Sequence, residues 1–392
     1  MTLAQRRGWC PSALKPMETG DGLLMRLRAP LGRLSLAQAQ GLAEAAQRHG
    51  NGVIDLTRRG NLQLRGLTQA SHPALLDAVA ALGLLDLHPQ NGELFELPCT
   101  VITSPFAEPS EILMLRVALE AALLAEPQLV GLPPKFCIVL DELPAPLFEE
   151  IPAHLRLYVA TNGEMTLVSS GQTETITCAD APQRLVQLAR EAVSHGANTP
   201  HDRWAVQHLG LTRAQKRALM VTGVLTHEAA LAFGLISGSM QASALLSLVA
   251  ALRRVDATEL RLTPWHVLVA PQIPQSAVPG LIAAAQACGF LVEGDDPRLA
   301  ISACSGKPAC GQAHLPVRLD AKSLGSLIGA KLQQNKLHVH VSGCDKFCAR
   351  PQRADYVLEA TPDGYNLLDR ASSHPVMRGT GLTLADAAKA LG

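Results

Sequence analysis

Residues 53–68 read VIDLTRRGNLQLRGLT, and residues 259–274 read ELRLTPWHVLVAPQIP. The two stretches share a Leu-Thr step, and Thr57 and Thr263 lie 206 residues apart. Each is followed by an apolar, helix-like stretch, LLDAVAALGLLD (75–86) and LIAAAQACGFLVE (281–293), in which Gly83 and Gly289 are again 206 residues apart. Each is preceded by a strand-like segment and an amphipathic helix pattern. In the first copy these are GDGLLMRLRAP (20–30) and SLAQAQGLAEAAQRHG (35–50); in the second, FGLISGS (233–239) and QASALLSLVAALRRV (241–255). Chance likeness between two amphipathic units is the alternative, but order, spacing and the Leu-Thr step agree together. Strands alternating with helices give an α/β or α+β class, and two copies predict a pseudo-twofold molecule. LFELPCTVITSP (94–105) and RLAISACSGKPAC (298–310) lead out of the copies into more irregular regions, expected to form a second type of domain. AREAVSHGANTPHDRWAVQHLG (189–210) reads as the connection between the halves.

At 392 residues the chain is too long for one small core, and two or three domains are expected. Acidic and basic residues balance at 34 each, which points to neither nucleic acid nor a membrane surface as partner. The charged N-terminal MTLAQRRGWCPSALKP has no apolar run behind it, so no secretory signal is expected. The most apolar stretch, ILMLRVALEAALLAEP (112–127), is interrupted by Arg116 and Glu120 and reads as an amphipathic helix rather than a membrane span. A cytoplasmic location follows as the expectation, and there clustered cysteines favour metal ligation over disulfides.

Four of the nine cysteines fall in two short pieces, SACSGKPACGQ (302–312) and HVSGCDKFCARP (340–351). Cys304 and Cys310 are separated by five residues, Cys344 and Cys348 by three. The first gap is wide for zinc, whose paired ligands usually lie two to four residues apart. Four thiolates around a cubane cluster are the natural alternative. Gly306, Gly311 and Gly343 let the backbone turn tightly and bring amide donors toward the sulfurs. Four unconnected buried thiols are the bland reading; Cys10, Cys99, Cys137, Cys178 and Cys288 stand singly in that manner.

In DLTRRGNLQLR, Asp55, Thr57, Arg59, Asn61, Gln63 and Arg65 alternate with a mostly apolar even-numbered set. Read as one strand, period two places the polar set on one face. That face is either solvated or a site for a polyanion, since guanidinium forks bind carboxylates in pairs. Arg26 and Arg28, alternating in LLMRLRAP, extend the same surface.

The C-x5-C and C-x3-C pairs, with the internal duplication, resemble the sulfite and nitrite reductase superfamily from about Gly20 to about Arg353. The resemblance implies an α+β, pseudo-twofold duplicated fold. Residues 15–85 and 206–290 would be ferredoxin-like half-domains, 86–205 the first α/β reductase-like domain, and 291–392 the cluster-binding α/β domain. It also implies a 4Fe–4S cluster on Cys304, Cys310, Cys344 and Cys348. The anion-gripping cations of the reductases are kept in part. Arg59 matches the arginine of a T-x-R motif and Lys135 the first lysine of P-x-K-F-K. Cys137 stands where the second lysine would be, and another family arginine falls near Cys99, the lone cysteine of the corresponding region of the first copy. These departures weigh against reduction of sulfite or nitrite.

Within the superfamily, residues 6–35 and 50–67 are similar to the oxygen-dependent precorrin-3B synthases of aerobic cobalamin biosynthesis, although His266 stands where an arginine is expected. That resemblance implies hydroxylation of precorrin-3A at C20 with γ-lactone closure, using O2, so that the tetrapyrrole is substrate and no sirohaem is expected. Its carboxylates would engage Arg26, Arg28, Arg59, Asn61, Gln63, Arg65 and Lys135. A mononuclear non-haem iron is a further implied cofactor, with His338 and His340 as half a ligand set or, alternatively, as structural strand histidines. Lys346, Arg350 and Arg353 are substrate ligands or solvated loop charges, and Trp265 is core or a macrocycle contact. No G-x-G-x-x-G follows a strand, so an NAD(P)H-dependent reductase is the expected electron donor. A monomer is expected. A sirohaem-dependent reductase and a non-catalytic tetrapyrrole or electron carrier are the alternatives.

Overall fold

The computed structural model describes residues 10–87, 92–106, 111–144, 146–149, 151–195, 223–225, 230–348, 354–370 and 375–391. The first half-domain contains β1 (Met17–Thr19), β2 (Gly22–Leu27), β3 (Arg33–Ser35), α1 (Leu36–His49), β4 (Val53–Leu56), β5 (Leu62–Leu67) and α2 (Ser71–Ala81). Ser35 and Gln38 start α1 with a reciprocal capping box, which satisfies two otherwise unpaired amides. Leu36, Ala39, Leu42, Ala43 and Ala46 then form its buried stripe.

β4 and β5 are an antiparallel hairpin pairing Ile54 with Leu64, Asp55 with Gln63 and Leu56 with Leu62. This corrects the reading of residues 54–65 as one strand. The Thr57 amide donates to the Asn61 carbonyl at 2.8 Å, the Thr57 hydroxyl accepts from the Asn61 amide at 3.1 Å, and Gly60 takes φ +69°. Even-numbered residues pair with even-numbered ones, so the alternation passes through the turn unbroken and period two does not reveal it. The apolar side is buried as expected, but the polar side is covered too, with Asp55 and Arg65 both buried.

A short ladder of β6 (Asp86–Leu87) with β7 (Leu94–Phe95) leads to β8 (Thr100–Ile102), α3 (Glu111–Leu124), β9 (Cys137–Glu142), β10 (Leu155–Val159), β11 (Met165–Ser169), β12 (Gln172–Ile176) and α4 (Ala181–His195). The sheet order is β12-β11-β10-β9-β8, with β8, β9 and β10 parallel. Leu119, Leu123 and Leu185 share the core over this sheet. The stretch expected as a connection begins as the end of α4, and its remainder, 196–210, lies outside the described residues.

The second half-domain contains β13 (Gly223–Leu225), β14 (Ala230–Gly234), β15 (Ser239–Gln241), α5 (Ala242–Arg253), β16 (Glu259–Leu262), β17 (Val267–Ala270) and α6 (Val278–Ala287). The last domain follows with β18 (Ile301–Ala303), α7 (Val317–Gln334), β19 (Val339–Ser342), β20 (Tyr356–Thr361), β21 (Gly364–Asp369), β22 (Val376–Leu382) and α8 (Leu384–Leu391). Its sheet, β18-β19-β20-β21-β22, repeats the order and strand directions of the first α/β sheet.

The half-domains exchange strands. β15 pairs with β4, setting Ser239 opposite Asp55, and β3 pairs with β16, setting Arg33 opposite Arg261. One core accordingly runs from Leu42, Leu56 and Leu64 to Leu248, Leu260 and Leu268. The pseudo-twofold reaches the backbone dihedrals. Left-handed residues recur 206 positions apart as Leu31 and Ser237, Gly32 and Gly238, Gly60 and His266, and Gly83 and Gly289. Among the described residues no helix is long and apolar enough to cross a membrane.

Candidate active site

Cys304 directly follows β18 and Cys344 lies just beyond the adjacent parallel strand β19. Carboxyl ends of neighbouring parallel strands open a crevice, the usual place for a ligand in such sheets. The Cys304 amide donates to the Val341 carbonyl at 3.2 Å, and the Gly343 amide donates to Cys304 Sγ at 3.1 Å. A Cβ on Gly343 would stand 2.7 Å from the Ala313 Cβ, so this approach needs glycine. Gly306, at φ +65°, turns the chain so that its carbonyl accepts from the Cys310 amide at 2.7 Å. All four cysteines are free thiols. Burial pushes the Cys344 thiol up against an opposing Lys346 amide, and Cys348, Cys310 and Cys304 push it further. Burial likewise raises Cys348, followed by Cys304 and Cys310, with Lys346 and Lys135 opposing. Four mutually repelling sulfurs with an amide donor turned toward one of them suit a cationic iron cluster, which would hold them as thiolates.

In the first copy the position three residues after the start of β8 is Thr103, where the second copy has Cys304 three residues after the start of β18. Cys99 instead precedes β8, at the strand's other end, so it is not the counterpart of Cys304.

Arg26 lies on β2, Arg28 directly follows that strand, and Arg59 sits in the β4–β5 turn. The Nε atoms of all three are buried without a hydrogen-bond partner. Burial lowers Arg26; Cys10 opposes this, and the Arg28 and Arg59 charges add to it. Three guanidinium groups thus crowd one region, an arrangement that an anion would relieve. Beside them opens a pocket lined by Arg28, Arg59, Asn61, Thr100, Arg116 and Pro264, drawing on both half-domains. The Asn61 amide donates to the Thr100 hydroxyl at 3.1 Å, and Gln63 is half-buried on β5 opposite Asp55. Lys135 is exposed, and its charge acts on Cys348, so it belongs beside the thiols. Arg65 is placed differently: its fork is engaged by Asp21 and by the Ala309 carbonyl.

Sequence reasoning missed Arg116 as a pocket residue. It is buried on α3, bonds Glu120 at 2.8 Å, and Glu120 in turn accepts from the Leu31 amide at 3.0 Å. The available signal was an i,i+4 charge pair inside an otherwise apolar helix. Cys137 and Cys99 are buried neutral thiols. Burial raises Cys137 against Arg59 and Arg156, and pushes Cys99 up to about 12 against Arg28.

His340 is fully buried with Nδ1 2.9 Å from the Ser302 hydroxyl. Burial holds His338 down at about 4, with Asp355 opposing and Arg58 assisting. Among the described residues no three His, Cys, Asp or Glu side chains converge on a single metal ion. Trp265 stacks on Phe148 with ring centroids 5.3 Å apart. Arg350 and Arg353 lie outside the described residues.

The nitrite/sulfite reductase ferredoxin-like half domain matches residues 15–82. The solved structure of the Mycobacterium tuberculosis NirA protein superposes with a TM-score of 0.67 at 18% identity, covering 91% of this chain and 73% of that one. A precorrin-3B synthase from Sinorhizobium sp is 32% identical over 390 residues, covering 93% of this chain and 83% of the relative. The chain belongs to the precorrin-3B synthase family. Its kinship with the reductases is more distant. A ferredoxin–nitrite reductase from Synechococcus elongatus is 22% identical over 90% of this chain and 79% of its own length. A ferredoxin sulfite reductase of M. tuberculosis is 27% identical over 156 residues, 38% of this chain and 26% of its own length. This chain thus keeps the reductase fold.

Proposed function

We propose that this protein hydroxylates precorrin-3A at C20 and closes the γ-lactone with the ring-A acetate, as an O2-dependent monooxygenase of aerobic cobalamin biosynthesis. One oxygen atom of O2 enters the product. The other leaves as water, with two electrons supplied by an NAD(P)H-dependent reductase and two protons from solvent. The observation that carries the reading is the group of Arg26, Arg28 and Arg59, whose Nε atoms are buried without partners. Arg28 Nη1 already lies 3.5 Å from Glu96, and a macrocycle rimmed with acetates and propionates would supply anions for the donors that remain. Arg28 and Arg59 would orient it over the pocket where the half-domains meet, with Lys135 on the side of the thiols. Cys304, Cys310, Cys344 and Cys348 would hold a 4Fe–4S cluster, and the chemistry such a group would supply there is single-electron transfer. The neutral Cys99 and Cys137 add no cation of the kind that would stabilise charge on a small sulfur or nitrogen oxyanion. The tetrapyrrole is then substrate and no sirohaem is retained. The protein acts as a cytoplasmic monomer.

The test is the content of anaerobically purified protein. Four iron and four sulfide per chain, with no sirohaem bands, is the expected composition. Serine at any one of the four cysteines should deplete both elements. Four serine variants that all keep a full cluster would refute the ligand assignment, and stoichiometric sirohaem would favour an anion reductase.

A further inference from the structure

We infer that Arg65 is a positioning residue for the cluster, clamping the Cys310 loop onto the strands that carry the substrate arginines. The inference rests on the proposed cluster at Cys304, Cys310, Cys344 and Cys348. Arg65 is 3% exposed, and its fork is spoken for. Nη2 donates to the Ala309 carbonyl at 2.6 Å, one residue before Cys310. Nε and Nη2 each reach an Asp21 carboxylate oxygen at 3.0 Å, and Nη1 lies 3.6 Å from Asp55.

The loop is gripped from a second side. The Gly20 amide points at the same Ala309 carbonyl at 3.3 Å. A Cβ at Gly20 would stand 2.3 Å from the Pro308 carbonyl and 2.8 Å from the Gly311 amide, so the β1–β2 turn and the loop are in backbone contact. Asp55 is itself held by Arg318 at 3.0 Å, from the helix that follows the loop. Gln63, two residues before Arg65, pairs with Arg26 across β2 and β5. The clamp therefore fixes how far the Cys310 sulfur sits from the arginine group. Outer hydrogen bonds to ligand loops tune such centres.

Two variants of the full chain test this. Arg65→Lys keeps the charge and loses the fork, while Asp21→Asn keeps Arg65 and loosens its anchor. Each is purified anaerobically and measured for iron and sulfide, for the electron paramagnetic resonance of the reduced cluster, and for its midpoint potential. The expected result is a folded chain with four iron whose g-values change and whose midpoint shifts from the wild-type value. Should Arg65→Lys fail to fold, Asp21→Asn carries the same readout. Wild-type resonance and midpoint in a folded, fully loaded variant would overturn the clamp, even if its melting temperature fell. A wild-type chain without any 4Fe–4S cluster fails the underlying reading instead, and is seen before either variant is made.

Discussion

Arg59 is where a single side chain decides most. Its Nε is buried without a partner in the turn between β4 and β5, against a pocket that both half-domains line. A charge-assisted hydrogen bond in a desolvated pocket is worth about 1.5–3 kcal/mol, so Arg59→Ala should weaken precorrin-3A binding about tenfold or more. Iron content should not change, and equilibrium titration beside metal analysis separates the two. Unchanged affinity would return Arg59 to a merely structural role. Arg65 shows the limit of reading residues by type. It shares Arg59's chemistry and its odd-numbered position, yet Asp21, more than forty residues upstream, and a carbonyl in the last domain consume its donors. No spacing within residues 54–65 encodes those two partners, so the sequence separates the two arginines only once the fold is known.

At the scale of elements, the two hairpins are one design with different turns. Thr57 and Thr263 each accept from the amides two and four residues on, and the left-handed position is Gly60 in one hairpin and His266 in the other. A histidine at φ +62° is tolerated because Gly238 leaves room for its ring; a Cβ there would stand 2.9 Å from the imidazole and 2.8 Å from the Leu56 carbonyl. Gly238→Ala should therefore cost about 1–3 kcal/mol and visibly lower the melting midpoint. Gly83→Ala, equally left-handed but facing open space, should cost less, and equal losses would show that the contact is unimportant. The strands and helices of both copies were legible because apolar periodicity is local. The hairpin turn inside residues 54–65 was not, because pairing even with even preserves the alternation across it. The four thiols were legible as a set because their spacing is itself local, whereas the mismatch between Cys99 and Cys304 needed the strand register.

For the whole molecule, the exchange of β3 and β15 ties the halves into one core, which local patterning had presented as two separate units. Acid should reach that body through its buried histidines. Burial holds His266 and His338 at about 4 against 6.5 in the unfolded chain; Arg58 lowers both, and carboxylates oppose. The unfolded state then binds more protons between those values. Their contribution to stability is complete above about pH 6.5 and is lost as the pH falls toward 4. Melting temperatures across that range should decline, and His266→Gln with His338→Gln should flatten the decline; an unaltered slope would place the acid sensitivity elsewhere. The central claim is that this duplicated fold presents its arginine group to a tetrapyrrole substrate rather than to a sulfur or nitrogen oxyanion. Its most direct test gives cluster-loaded protein and a competent reductase precorrin-3A under ¹⁸O2, and in parallel sulfite or nitrite. The account predicts a lactone product carrying one labelled oxygen atom, no product under argon and no reduction of either anion. Robust six-electron reduction of an anion without label in the tetrapyrrole would contradict it.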